Sequence, residues 1–293
     1  MGLDLADAQE WNEQRNQTTT WAQHYADEEA LADVLAFIEA SKEQEKLPGD
    51  QALVRIQREL EVAKHIQQQL MPAAIPQVPY ATVKAYSRPC SEIGGDFFDV
   101  IATENGLTLL VVDVSGKGVS AAVLASTIQG MLFALLTSRR PLAEAITRVN
   151  EYLCQRDVGK YATLVAIHLP PDGELEILNA GSVEPLLVSE GTVRSLPCNN
   201  LPVGLLEMSE FHTDRTRMKP GDRLIATTDG IVEAENADYE YFGNDRLMAV
   251  AVKGFAEIEL ELQNFRGSAP QSDDLTLLEL TYHGVPSDLA GSS

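Results

Sequence analysis

Short apolar runs, punctuated by Gly, Asn or Asp, dominate the chain beyond residue 78. Six of them, at 108–112, 163–169, 175–178, 185–188, 224–226 and 275–280, have the length of strands. The first, fifth and sixth are nearly continuous in apolar residues, which predicts strands at sheet centres, covered on both faces. The middle three follow one another across Pro171-Asp172-Gly173 and Asn179-Ala180-Gly181, so they predict an antiparallel meander. Residues 120–138 are almost wholly apolar or small, which predicts a buried helix. Residues 142–153 place Leu142, Ala145, Ile146, Val149 and Leu153 on one helical face. Strands in hairpins, with the helices inserted as a pair, predict an α+β fold rather than alternating βαβ units.

Upstream the period changes. Leu53, Ile56, Leu60, Ala63, Gln67 and Leu70 step alternately by three and four, the a/d rhythm of a coiled coil. Val62 and Ile66 widen the stripe, and Pro72 and Pro76 end it. A seam of under three heptads suits either a helix packed on its own domain or a dimerising, signal-carrying linker over 51–77. Residues 1–50 hold 12 acidic and 3 basic residues, with Leu31, Val34, Leu35 and Ile38 on one face; they read as an acidic helical extension. The small, polar residues 284–293 predict a disordered tail.

Composition narrows the function. At 293 residues and 44% apolar the chain can bury a sizeable core. Lys and Arg number 22 against 44 Asp and Glu, a net charge of −22 that repels nucleic-acid phosphates and anionic lipid. Alternatively, part of that acid belongs to cation sites. Cys90, Cys154 and Cys198 are odd in number and widely spaced, with neither a disulfide framework nor zinc spacing. The acidic N-terminus lacks a signal-peptide pattern, and Ala6 stands where a myristoylation signal has Ser or Thr. No stretch reads as a membrane span. A cytoplasmic location without membrane insertion is expected.

The chemistry concentrates in acids at strand ends. Leu109-Leu110-Val111-Val112 runs into Asp113, then Val114-Ser115-Gly116-Lys117-Gly118; Leu224-Ile225-Ala226-Thr227-Thr228 runs into Asp229-Gly230. Glu92-Ile93-Gly94-Gly95-Asp96-Phe97-Phe98-Asp99 sets acids around a Gly pair, and Ser272-Asp273-Asp274 opens the last strand. Converging carboxylates raise one another's pKa and oppose folding unless cations neutralise them. Hard ions such as Mg²⁺ or Mn²⁺ prefer oxygen ligands, and two of them can hold a bridging water and neutralise a phosphoryl oxygen. The pattern predicts a metal-assisted phosphoryl hydrolase, although any one Asp taken alone has the plainer reading of a turn cap. Gly116-Lys117-Gly118 is no P-loop, since Val111 stands where the first Gly is required and Gly118 where Ser or Thr is. Gly-x-Ser-x-Gly is absent, and the five histidines are scattered.

These motifs, followed by Asn179-Ala180-Gly181, Pro202-Val203-Gly204, Pro220-Gly221-Asp222, Thr228-Asp229-Gly230-Ile231-Val232-Glu233-Ala234 and Asp273-Asp274-Leu275-Thr276, are in order and spacing similar to one family. Over residues 58–281 the chain resembles the SpoIIE/RsbU-type branch of the PPM metal-dependent serine/threonine phosphatases. The resemblance implies an α-β-β-α sandwich of two antiparallel sheets over 78–283. It implies two Mn²⁺ or Mg²⁺ ions, with Asp113 as bridging ligand, the Val114 carbonyl beside it, Asp229 and Asp273 completing one shell, and Asp96 at the other ion. Asp274 and Glu92 are further candidates, Asp274 the weaker of the Asp273–Asp274 pair because adjacent strand residues face opposite ways. Gly95, Gly116 and Gly230 would let backbone approach the ions. No catalytic group is assigned beyond a metal-bound water.

Two departures stand out: Ser182 follows Asn-Ala-Gly where the family usually has His, and Glu184 stands where Pro is common. The resemblance implies hydrolysis of phosphoserine or phosphothreonine on a STAS-domain anti-sigma-factor antagonist in a bacterial partner-switching pathway. A homodimer through 51–71 and an upstream sensor are expected partners. The alternatives are a catalytically silent scaffold, motivated by Ser182, and a hydrolase of small phosphorylated metabolites.

Overall fold

The computed structural model describes residues 49–197 and 199–285, with side chains from residue 52 onward. The expected acidic extension apart from Gly49 and Asp50, Cys198 and most of the expected tail lie outside the described residues. The chain divides into two compact units at Glu61 and Val62. The described part of the first is the opening of helix α1 (Gly49–Leu70), where Arg55 Nε meets Glu59 Oε1 at 3.1 Å one turn on. The rest of α1 belongs to the second unit.

In that second unit two five-stranded sheets form, antiparallel at every pairing. One orders β1 (Ala81–Arg88), β10 (Leu275–Tyr282), β9 (Arg223–Thr227), β6 (Leu186–Ser189) and β7 (Thr192–Ser195). The other orders β2 (Phe97–Thr103), β3 (Gly106–Val114), β4 (Ala162–Leu169), β5 (Glu174–Ala180) and β8 (Asp214–Arg217). Helices α2 (Val119–Thr137) and α3 (Leu142–Arg156) cover the second sheet. Helix α4 (Asp229–Val232), α5 (Gly243–Ala251) and α6 (Phe255–Arg266) belong to the first.

Alternation along the strands sorts side chains into three cores. In β3, Leu107, Leu109 and Val111 pack between the sheets, while Leu110, Val112 and Val114 pack under α2 and α3. In β10, Leu278 and Leu280 face the gap between the sheets, and Leu275 and Leu277 face α5 and α6. The α-β-β-α layering expected from the resemblance is thus present, and the three runs read as central strands each have neighbours on both sides.

Two expectations are corrected. The three middle runs are not one meander: β4 and β5 pair, but β6 leaves for the other sheet. Asn179 explains the departure. Its side-chain Nδ2 donates to the carbonyls of Ser182 and Val183, and its Oδ1 accepts from Ser182 N–H, so the turn bends out of the sheet instead of closing a hairpin. Second, α2 is long and apolar enough, at 19 residues, to cross a membrane by composition. Its Ala121, Leu124, Ala125, Ile128, Leu132 and Leu136 are buried against the second sheet and α3, which accounts for that composition as a core helix.

Candidate metal centre

The inter-sheet parity carries directly into the site. In β3 the residues facing the gap are odd-numbered, so Asp113 continues the row of Leu109 and Val111. In β9 and β10 the gap-facing residues are even, a row that leads to Thr228, Thr276 and Asp274. All these rows end on one edge of the sandwich, where the loop 89–96 also arrives.

Asp96, 4% exposed, is the most deeply buried acid of the arrangement. Its Oδ2 accepts from Thr228 Oγ1 at 2.6 Å and from Thr276 Oγ1 at 2.9 Å. Burial and the nearby Asp113 charge hold its carboxyl well above the usual range, against the pull of those two donors. Asp113 is half-buried and hydrogen-bonds Asp96. Burial, then the charge of Asp229, then those of Asp273 and Asp274 push Asp113 up to about 7. Asp229 opens α4; burial and Asp273 raise it too. Asp273 is met by Lys117 Nζ at 3.0 Å, and the same ammonium donates to Ser272 O at 2.6 Å.

Asp96, Asp113, Asp229 and Asp273 therefore come together. Asp274 joins them in a different part. Buried, it accepts from the backbone N–H of Cys90 (2.7 Å), Gly95 (2.7 Å) and Asp96 (3.3 Å), clamping the loop that delivers Asp96. Asp273 precedes the strand, so parity within β10 does not rank the pair. Glu92 is exposed and its carboxylate meets Lys64 Nζ at 3.2 Å.

The glycines sit where side chains would intrude. A Cβ on Gly95 would lie 2.8 Å from the Val114 carbonyl oxygen, and one on Gly230 would collide with the Asp274 carbonyl oxygen. Gly116 has φ +90° and faces Lys160 Nζ, which donates to Ser115 O at 2.8 Å. Ser182 sits in the Asn179 turn after β5, two strands away from β3.

Thr228, Thr276, Lys117 and Cys90 join the site although none is among its expected residues. The two threonines were legible in principle, since each shares the even parity of its strand's gap-facing residues. Cys90 Sγ and oxygens of Asp273 and Asp274 lie within 4.8 Å of one another. Burial and the Asp274 contact push the Cys90 thiol up to about 11, so it stays protonated at neutral pH. Asp96, Asp113 and Asp229, held up by burial and by neighbouring acids, form with Asp273 and its Lys117 partner an oxygen-rich set suited to a hard divalent cation.

An α-β-β-α sandwich with this acidic edge is the arrangement of a PPM-type phosphatase domain. The family model for Stage II sporulation protein E (SpoIIE) matches residues 103–283, and the chain belongs to that family. Protein IcfG of Synechocystis sp. is 27% identical over 259 residues, covering 75% of this chain and 41% of IcfG. The phosphoserine phosphatase RsbU of Bacillus subtilis is 23% identical over 255 residues, covering 82% of this chain and 74% of RsbU. The crystal structure of the RsbU and RsbW domains of Rv1364c from Mycobacterium tuberculosis matches with a TM-score of 0.67 at 25% identity, covering 74% of this chain and 64% of that one. The chain thus spans less than half the length of IcfG.

Proposed function

We propose that the domain hydrolyses phosphoserine or phosphothreonine on a protein, with Mn²⁺ or Mg²⁺ as cofactor. The observation that carries this reading is the meeting of Asp96, Asp113, Asp229 and Asp273 at one partly dry edge, with Asp113 raised to about 7. Asp113, the Val114 carbonyl, Asp229 and Asp273 would hold one ion and Asp96 a second. Bound there, the ions would supply positive charge for phosphoryl oxygens and acidify a water.

The chain's own residues do the positioning. Thr228 and Thr276 fix the Asp96 rotamer by two O–H donors. Asp274 gathers three backbone N–H groups and so sets the height of the Gly94-Gly95-Asp96 loop. Lys117 tethers Asp273 at the rim. Burial of Asp96 keeps bulk water away, which strengthens every electrostatic interaction at the edge. No side chain is assigned as acid for the leaving group.

The substrate we propose is a serine-phosphorylated STAS-domain protein in a cytoplasmic partner-switching pathway, a reading supported by the likeness to RsbU and to the joined RsbU and RsbW domains. Homodimerisation through residues 51–71, under an upstream sensor, completes it. Exposed Leu53, Ile56, Val62, Ile66 and Leu70 on α1 support the dimer. The test is phosphate release from p-nitrophenyl phosphate and from a serine-phosphorylated STAS-domain protein. Turnover should require manganese or magnesium, stop with a chelator and vanish in Asp229→Asn. Metal-independent turnover, or none with either probe, overturns the proposal.

A further inference from the structure

We propose that the loop 201–208, between β7 and β8, and the turn 157–161, before β4, form the docking surface for the phosphoprotein. The surface would meet a folded, apolar patch beside the phosphorylated residue. This rests on the phosphatase reading above and adds the recognition element to it.

The loop is both pinned and apolar. Asn150 of α3 is 0% exposed, and its hydrogen bonds run to this loop. Its Nδ2 donates to Leu206 O (3.0 Å) and Glu207 O (3.3 Å), and its Oδ1 accepts from Gly204 N–H (2.7 Å). Ala162 and Val203 exchange two backbone bonds of 2.8 Å. A buried amide is costly unless satisfied, so the loop backbone is held in one shape. That rigid backbone nevertheless presents Leu201, Leu205, Leu206 and Met208 to solvent, Met208 at 93% exposure. Across a pocket of ≈ 390 Å³ stand exposed Val158 and Tyr161. An exposed apolar cluster on ordered backbone marks an interaction surface.

Its position selects the partner. Ser115 N–H donates to Tyr161 O at 2.9 Å, Tyr161 N–H donates to Ser115 Oγ at 3.1 Å, and Lys160 Nζ donates to Ser115 O. Ser115 directly follows Val114, so the surface is continuous with the acidic edge. These apolar side chains offer contact area beside the site, with Lys160 at the join and the carboxylates of Asp157 and Glu207 among the pocket's lining.

The experiment uses the full chain carrying Leu205→Ser, Leu206→Ser and Met208→Ser together, and separately Tyr161→Ser. The probes are p-nitrophenyl phosphate, a serine-phosphorylated STAS-domain protein and phosphocasein, each with manganese. The triple variant should lose about 30-fold in kcat/KM on the STAS-domain probe, mostly through KM, and Tyr161→Ser about tenfold. Hydrolysis of p-nitrophenyl phosphate should stay within about twofold in both. Unchanged STAS-domain turnover overturns the proposal, including the case where sedimentation shows that the variants have lost self-association. An equal loss on all three probes overturns it too, because the loop is then structural. Turnover of the small ester with neither phosphoprotein accepted overturns docking but leaves the catalytic reading standing. No turnover of any probe by the unsubstituted chain removes the catalytic reading, and docking with it.

Discussion

The two ends of β3 carry similar numbers of ionisable groups and treat them in opposite ways. At the end near Thr108, Glu104 pairs with Arg139, Glu144 with Arg140, and Glu176 lies 3.9 Å from Arg215. His168 meets the buried Thr108 hydroxyl at 3.0 Å, and burial pushes its pKa down, so it stays neutral near pH 7. At the other end Asp113 stands among Asp96, Asp229, Asp273 and Asp274, with Lys117 paired to Asp273. One strand, of nine residues, thus joins a matched charge cluster to an unmatched one. Matched charges account for themselves as local structure. Unmatched, partly buried carboxylates cost folding free energy and imply a missing partner, which is why perturbed acids mark functional sites.

The sharpest way to break the contrast is to neutralise one acid at each end. Asp113→Asn should lower kcat/KM for p-nitrophenyl phosphate on the order of 10³-fold, and Glu104→Gln should leave it within about twofold. Equal effects would show that the two ends do not differ in role. A smaller loss is expected one layer out. Thr228→Val removes one of the two hydroxyl donors on Asp96 and should cost about 10–100-fold in activity or manganese affinity, with Thr228→Ser restoring most of it. Retention of full affinity in the valine variant would mean that Asp96 is oriented by something other than these hydroxyls.

How far this contrast could be read in advance depended on range. Asp113 and Asp229 were legible because each ends a continuous apolar run, and strand-end acids can be seen within a dozen residues. The buried α2, the paired face of α3 and the three central strands were legible for the same reason. Strands β7 (Thr-Val-Arg-Ser) and β8 (Asp-Arg-Thr-Arg) were not, because as short edge strands they have no continuous apolar face. The clamp made by Asp274 could not be read either: its donors lie 178 to 184 residues earlier, so only the folded loop reveals it. Asn179 misled because Asn-Ala-Gly is turn chemistry wherever it occurs, and its side chain decides which way the chain leaves.

The acidic end also predicts a pH dependence whose direction follows from Asp113. Its folded value, about 7, is above its ordinary 3.8, so its favourable contribution is complete below about pH 4 and is lost as pH rises through 7. Without metal, the unsubstituted chain should therefore lose stability relative to Asp113→Asn between pH 5 and pH 7.5. The expected difference is about 2 kcal/mol, discounted for the water that reaches a half-buried carboxylate. Urea melts in chelator at the two pH values measure it. Manganese should reverse the ranking at pH 7.5, since only the intact acid set gains binding free energy. Parallel pH profiles for the two proteins would mean that Asp113 is not destabilised by its neighbours.

The smallest effect belongs to the matched end, and it tests the comparison from the other side. Glu104 is 80% exposed and its ion pair with Arg139 lies in water, where attraction is screened and side-chain ordering offsets most of the gain. Glu104→Gln should change the unfolding free energy by less than about 0.5 kcal/mol, and 0.5 M salt should shrink even that. If this change instead cost as much as the expected gain from neutralising Asp113 at pH 7.5, compensation at the far end would be structural in a strong sense. The contrast between matched and unmatched charge would then no longer separate scaffold from site, and the acidic edge would have to be identified by metal binding alone.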